Sequence, residues 1–216
     1  MTNLLRVNVG CGLAPIPGWM NFDNSRSLQL ARRRMLARTL DAIGLLAAPQ
    51  KVAIEFFRVH DVRWADVTKK IPLPDSSTEV VYSSHMLEHF DRDQARTFLA
   101  ETRRVLASGG RLRLAVPDLR RLASQYIECG DADAFMEHTW LGYHRPHSMK
   151  GLIKALFVGY RNHCWMYDAA SLSRLLKSSG FHNVVVLPAG ETSIPCPEGL
   201  DLRALEDESV YVEAIK

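Results

Sequence analysis

The chain has 216 residues, 47% hydrophobic and 24% charged, which is enough for one substantial core and short of two. Its net charge of +3 is the small difference between 27 basic and 24 acidic residues, so charge selects neither a nucleic-acid partner nor an acidic tail. Cys11, Cys129, Cys164 and Cys196 form no Cys-x-x-Cys pair, which argues against a disulfide framework or a cysteine zinc site and fits a reducing cytoplasm.

In chain order, Met1 stands only a few residues ahead of the first strand, leaving no room for a signal peptide. No apolar run reaches the length of a membrane span, so a cytoplasmic protein without a transmembrane segment is expected. The run from Leu4 to Val9 stops at Gly10-Cys11-Gly12, and a proline-containing loop leads to Gly18-Trp19-Met20-Asn21-Phe22-Asp23. Glycines let backbone approach a nucleotide-type cofactor and a following carboxylate holds ribose hydroxyls, so this is how a strand ends on such a ligand. The third glycine of a dinucleotide fingerprint is missing, since Leu13, Ala14 and Pro15 follow Gly12. Taken alone, the stretch reads equally well as a plain glycine-rich turn.

Ser25-Arg26-Ser27 starts a helix, and Leu28, Ala31, Met35, Leu36, Leu40, Ile43 and Leu46 keep helical spacing with Arg32, Arg33, Arg34 and Arg38 on other faces. The pattern predicts one amphipathic helix with a basic side over 28–46. A short strand is expected near Val59 to Trp64, then a polar turn over Ile71 to Ser76, then a buried central strand over Glu79 to Ser83. Asp91 and Gln94 make a capping box for a helix whose inner stripe is Ala95, Phe98, Leu99, Thr102, Val105 and Leu106, ended by Ser108-Gly109-Gly110. Arg111 to Val116 alternates as a strand that meets Pro117-Asp118, and strand, helix, strand in succession argues for a parallel sheet with covering helices.

From Leu119 to Cys164 the rhythm changes to that of an inserted cap: a helix over Leu119 to Glu128, another near Ala132 to Trp140, then a stretch dense in histidine and aromatic residues. Asp168 starts a further helix running to Gly180, and Asn183 to Leu187 and Ser209 to Ile215 read as the last two strands. The organisation expected is a single domain over 1–216 with a helical insertion at about 25–48 and a cap at about 119–164.

Four motifs together, Gly10 to Gly12, Gly18 to Asp23, Ser84-His85-Met86-Leu87-Glu88-His89 and Gly109 to Leu119, resemble a small branch of the class I S-adenosylmethionine-dependent methyltransferases. The resemblance covers nearly the whole chain. It implies an α/β, Rossmann-like seven-stranded sheet, mostly parallel with the last strand antiparallel, with helices on both faces and S-adenosylmethionine held at the carboxyl ends of the first strands. Carried over by position, Gly10 and Gly12 would border the methionine part of the cofactor, with Asn8 and Cys11 in the same turn. Asp23 would bind the ribose, Asp66 and Val67 would lie beside the adenine, and Ser84 and His85 would flank the cofactor. Two departures stand out. Asn8 occupies the place where the family usually has an acid, and the loop from Leu13 to Trp19 is short for a parallel crossover. A shortened first helix and a second strand beginning near Met20 are therefore expected.

Methyl transfer is an in-line displacement, so positioning is its main requirement, and a general base adds a smaller factor. Base candidates are His85, Glu88 and His89, and then His144, His147 and His163 in the cap, with His85 and His163 the preferred pair because histidine titrates near neutral pH. Residues 85–89 also spell H-x-x-E-H, the inverted zinc-protease signature, but that needs a helix, whereas this run begins at a strand end. His85, Glu88 and His89 could bind a divalent metal, yet ligand-type residues at this spacing are only suggestive, and no metal is expected. The reading is methyl transfer, most simply O-methylation, to a small-molecule or glycan acceptor, with no nucleic-acid partner. A cofactor-binding module or partner subunit without catalysis is the alternative, favoured by Asn8.

Overall fold

The computed structural model describes residues 4–141 and 162–216. Seven strands form one sheet: β1 Leu5–Val9, β2 Met20–Asp23, β3 Arg63–Trp64, β4 Thr78–Ser84, β5 Leu106–Pro117, β6 His182–Leu187 and β7 Ser209–Ile215. Their order is β3-β2-β1-β4-β5-β7-β6. The first five run parallel, and β7 lies antiparallel between β5 and β6, as expected. The described helices are α1 Arg26–Ala31, α2 Arg34–Ala42, α3 Ala48–Val59, α4 Arg92–Val105, α5 Leu119–Cys129, α6 Ala132–Thr139 and α7 Ala169–Ser178.

Because side chains alternate across a strand, each strand feeds two different cores. Val7, Val9, Phe22, Val81, Leu112, Leu114 and Val212 pack with Phe98 and Leu99 of α4 and with Leu172, Leu175 and Leu176 of α7. Asp91 and Asp168 cap these two helices, each in a reciprocal capping box, so both starts are fixed locally before they dock. On Val80 and Tyr82 of β4 packs a smaller cluster of Ile16, Ile194 and Leu200, supplied by the β1–β2 and β6–β7 connections. A third cluster joins α1, α2 and α3 around Leu28, Leu40, Ile54 and Phe57, and Cys11 belongs to it.

The β6–β7 connection is anchored through a buried ion pair. Arg113 of β5 and Glu213 of β7 face each other in register, and Arg113 Nη1 donates to Glu213 Oε1 at 2.6 Å and to the Glu191 carbonyl at 2.9 Å. Thr192 Oγ1 and both the amide and hydroxyl of Ser193 donate to the same carboxylate. Burial alone would raise the Glu213 carboxyl, but the donors from Ser193, Thr192 and Arg113 outweigh it and hold it below the ordinary glutamate value.

Four local expectations are corrected. The helix predicted over 28–46 is two, α1 and α2, because Arg33 leaves the helical region at φ −114° and ψ 67°. The stretch before β3 is the helix α3, and only Arg63–Trp64 is strand. Ser108-Gly109-Gly110 lies inside β5 at an irregularity in its pairing with β4 rather than ending α4. Between β1 and β2 there is no helix at all, although β2 begins at Met20 as expected. No described helix is long and apolar enough to cross a membrane.

The Glu213 carboxylate stabilises the fold above the ordinary value of 4.5, and that stability is lost as pH falls through its lower folded pKa. Glu213→Gln removes this acid-limb component and, by leaving Arg113 buried without its counter-ion, costs about 3–5 kcal/mol. Urea denaturation of both proteins between pH 3 and 7 measures the two effects.

Candidate functional site

In an open parallel sheet, ligands bind outside the carboxyl ends of the strands. Here that edge collects the ends of β3, β2, β1 and β4, and with them most of the residues singled out from the sequence. Gly10 and Gly12 both adopt left-handed conformations, φ 70° and 50°. The Gly10 and Cys11 amides both donate to the Phe22 carbonyl, at 2.8 and 3.1 Å, which folds the turn back onto the end of β2. The Gly12 amide donates to Asp23 Oδ2 at 3.0 Å and the Ser25 amide to Asp23 Oδ1 at 2.7 Å. A carboxylate offers about four lone-pair positions, so this clasp orients Asp23 and leaves acceptor capacity toward the crevice.

The two glycines differ in their surroundings. A Cβ at Gly12 would meet nothing within 4 Å, so its backbone is open to a ligand, whereas a Cβ at Gly10 would lie 2.5 Å from Met86 Sδ. Met86 thus uses the missing side chain of Gly10 to bring the end of β4 against the end of β1.

Asn8 is buried and turned toward the loop: its Nδ2 donates to the Ala14 carbonyl and to Asn21 Oδ1, both at 3.2 Å. The Cys11 thiol packs among α1 to α3, and burial, followed by the nearby Asp23 charge, pushes its pKa up to about 12, so it is no nucleophile. Asp66 follows β3, where its Oδ1 accepts from the Thr68 amide and hydroxyl and its Oδ2 pairs with Lys69. Burial acts to raise that carboxyl, and these donors more than reverse it. Val67 is buried in the main core, and Ser84 is half-buried at the last position of β4.

Beyond β4 the chain turns sharply. His85 has φ 49° and donates its amide to the Ala115 carbonyl, and Leu87–His89 form a single 3-10 turn rather than the helix an inverted zinc-protease motif requires. This turn places Glu88 inward, 0% exposed, with neither carboxylate oxygen hydrogen-bonded. Around it stand His85, with Nδ1 at 3.5 Å from Glu88 Oε1, and His163, with Nε2 at 3.9 Å from the same oxygen. The His89 and His163 rings lie edge to face, with centroids 5.0 Å apart. His163 is held beside Glu88 because the Cys164 and Trp165 amides both donate to the Glu88 carbonyl, at 2.7 and 3.1 Å. Burial lowers the His163 pKa, against the opposing pull of Glu88.

Ring partners assign the tautomers. Ser209 Oγ donates to the Ala204 carbonyl, so its 2.8 Å contact with His85 makes His85 Nε2 the donor, and in the neutral ring Nδ1 then bears the lone pair. Carbonyls can only accept, so the contacts of His163 Nδ1 with Thr139 O, 2.8 Å, and of His89 Nδ1 with Asn162 O, 3.2 Å, make both Nδ1 atoms donors. In the neutral rings their Nε2 atoms are then the nitrogens that carry the lone pair.

Sequence reasoning missed Thr139 and the site contacts of Ser25, Ser209 and Asn21. Only Asn21 carried a signal, its place between Trp19 and Asp23. His144 and His147 lie outside the described residues. Two open clefts lie away from this edge. One of about 650 Å³ is lined by Arg32, Arg33, Arg34 and Arg58, and one of about 460 Å³ lies by Arg6, Trp19 and Glu79.

Gly10→Ala forces a side chain into Met86 at a left-handed φ, and overpacking of this kind costs about 1–3 kcal/mol. Gly12→Ala meets no neighbour and loses less, a difference that thermal denaturation of the two variants resolves.

Residues 7–114 match the family model described as methyltransferase domain. No protein of curated function matches the sequence. An S-adenosylmethionine-dependent methyltransferase from Thermotoga maritima shares 16% identity at a TM-score of 0.54, over 100% of this chain and 84% of that one. A chain from the complex of the Haloferax volcanii Trm112 methyltransferase activator with a methyltransferase shares 14% at 0.52, over 98% and 81%. At these identities the two likenesses are ones of fold.

Proposed function

From a chain that belongs to the methyltransferase domain family, we propose an S-adenosylmethionine-dependent methyltransferase acting on a hydroxyl of a small-molecule or glycan acceptor. The observation that carries this reading is the juxtaposition at the carboxyl edge of the sheet. The open Gly12 backbone and the clasped Asp23 carboxylate stand on one side of the β4 end, and the Glu88 and histidine cluster on the other. When bound, S-adenosylmethionine supplies a methyl group whose carbon–sulfur bond breaks as the acceptor atom bonds the carbon.

The residues present fit that cofactor. Asp23 keeps lone pairs for two ribose hydroxyls, and Gly10 and Gly12 let the turn pass close to the methionine portion, with Asn8 and Cys11 shaping it from behind. Asp66, Val67 and the backbone near them border the adenine, and Ser84 and His85 close the crevice at the end of β4. Asn8 contributes no charge, and its amide is committed to the β1–β2 loop, which is the feature that favours the second reading, a module that binds cofactor without turnover.

On the acceptor side, His85 Nδ1 has a lone pair directed near Glu88 and is the group that takes the acceptor's proton, with the Glu88 carboxylate 3.5 Å away to stabilise the imidazolium. His89 and His163 complete the wall, and Trp140 stacks on His163 to extend it.

Calorimetry with S-adenosylmethionine tests the cofactor half. Binding is expected, and Asp23→Asn weakens it roughly 10- to 150-fold, the value of a hydrogen bond to a charged group at about 1.5–3 kcal/mol. Absence of binding by the intact chain would sink the reading. Labelled-methyl transfer to acceptor extracts tests the other half: product by the isolated chain excludes the non-catalytic module, and His85→Ala lowers turnover about 10²- to 10⁴-fold.

A further inference from the structure

We infer that Glu88, His89 and His163 form a binding site for a divalent first-row transition cation of the zinc, cobalt or manganese class. Sequence spacing alone points to no metal and groups His85 with Glu88 and His89. The fold replaces His85 by His163, from a distant part of the chain, and one ligand-type atom from each of Glu88, His89 and His163 lies within 4.8 Å of the other two.

Three considerations point to a cation there, the last two drawn from the same ring contacts. First, Glu88 is fully buried and both of its oxygens lack a hydrogen-bond donor, which is costly for a carboxylate unless something positive meets it. Second, in the neutral rings the nitrogens left to meet it are lone pairs, because His163 and His89 each spend Nδ1–H on a backbone carbonyl, Thr139 O and Asn162 O. An anion faced by lone pairs is incomplete without a proton or a metal ion. Third, donation of the outer ring N–H to a carbonyl is how protein scaffolds fix the tautomer and aim of metal-ligating histidines. Two such histidines and a carboxylate are an N,N,O donor set suited to zinc-like ions and poorly suited to calcium or magnesium.

The spacing is compatible. An ion equidistant from three atoms this far apart would sit roughly 2.8 Å from each, so side-chain movements under about 1 Å reach the roughly 2.0–2.2 Å bonds of such ions. Three protein ligands leave positions open toward the crevice, where an acceptor hydroxyl would bind. That role rests on the methyl-transfer reading; occupation of the site does not.

The test is a titration of chelator-stripped protein with Co²⁺, followed by calorimetry and visible absorption. One equivalent is expected to bind and to be displaced by Zn²⁺. Glu88→Gln, His89→Ala and His163→Ala should each weaken it by more than the roughly 10- to 100-fold that loss of an outer-shell partner costs. Circular dichroism on each variant separates loss of the site from loss of the fold, and Glu88→Gln, which removes a buried uncompensated charge, is the variant best placed to stay folded. Absence of saturable Co²⁺ binding, or undiminished binding by folded Glu88→Gln, overturns the site. S-adenosylmethionine affinity is measured on the same stripped protein, so failure of the cation site leaves the cofactor result standing, and the reverse.

Discussion

The carboxamide of Asn21 is the constraint on which this edge of the sheet depends. Two adjacent parallel strands ordinarily need a crossover of a dozen or more residues with a helix, and here residues 10–19 make the connection without one. A chain that short must bend inward and bury backbone polar groups, and Asn21 satisfies them. Its Oδ1 accepts from the Ile16 amide at 2.8 Å, and its Nδ2 donates to the carbonyls of Ile16 and Trp19, both at 3.0 Å. Asn8 completes the brace by donating to Asn21 Oδ1 and the Ala14 carbonyl. With the loop pinned beneath, Gly10 and Gly12 are delivered to the crevice next to Asp23. The neutral Asn8 is explained by the same brace, since an acid there would offer no donor to either partner.

The connection that replaces a helix has a consequence for the opposite side of the sheet. Ile16 packs with Ile194 and Leu200 over Val80 and Tyr82, so loops rather than helices cover that part of the face. Loops covering a core bury backbone groups that must be paired, and the Arg113–Glu213 pair does this for the 188–208 segment. Arg113 reaches the Glu191 carbonyl while Glu213 gathers Thr192 and Ser193, a degree of satisfaction that makes a buried charge pair tolerable. The two loops therefore lean on one another, and the short crossover at the site edge is supported from behind.

Much of this was legible in the sequence where one period ran uninterrupted. The central strand through Glu79 to Ser83, the capping box at Asp91, the helix start at Asp168 and the last two strands all lie where alternation and cap residues put them. The errors occurred where two signals competed. In α3, Gln50, Ala53, Ile54 and Phe57 are buried at clean helical spacing, while Phe56, Phe57 and Val59 are residue types that favour strands. Across Arg32-Arg33 the apolar spacing continues through a break, because α1 and α2 both bury a stripe against the same cluster. Spacing cannot register one residue leaving the helical region, nor that Met35 and Ile43 stay exposed. The glycine turn and Asp23 were readable as a cofactor edge, whereas the clasp by Ser25 and the tautomer set by Ser209 are tertiary facts with no local trace.

The Glu88 cluster shows how far such tertiary facts reach. A 3-10 turn after β4 is too short to present His85 and His89 on one face, which is why the local motif reads poorly as a ligand set. The same turn points the Glu88 carbonyl outward to receive the Cys164 and Trp165 amides, so the backbone that buries the carboxylate also recruits His163 beside it. The turn that buries the charge is thus the one that brings His163 beside it. A buried carboxylate with no hydrogen-bond donor is expensive for a fold that has ample apolar residues to fill the space, and a bound cation offsets that cost.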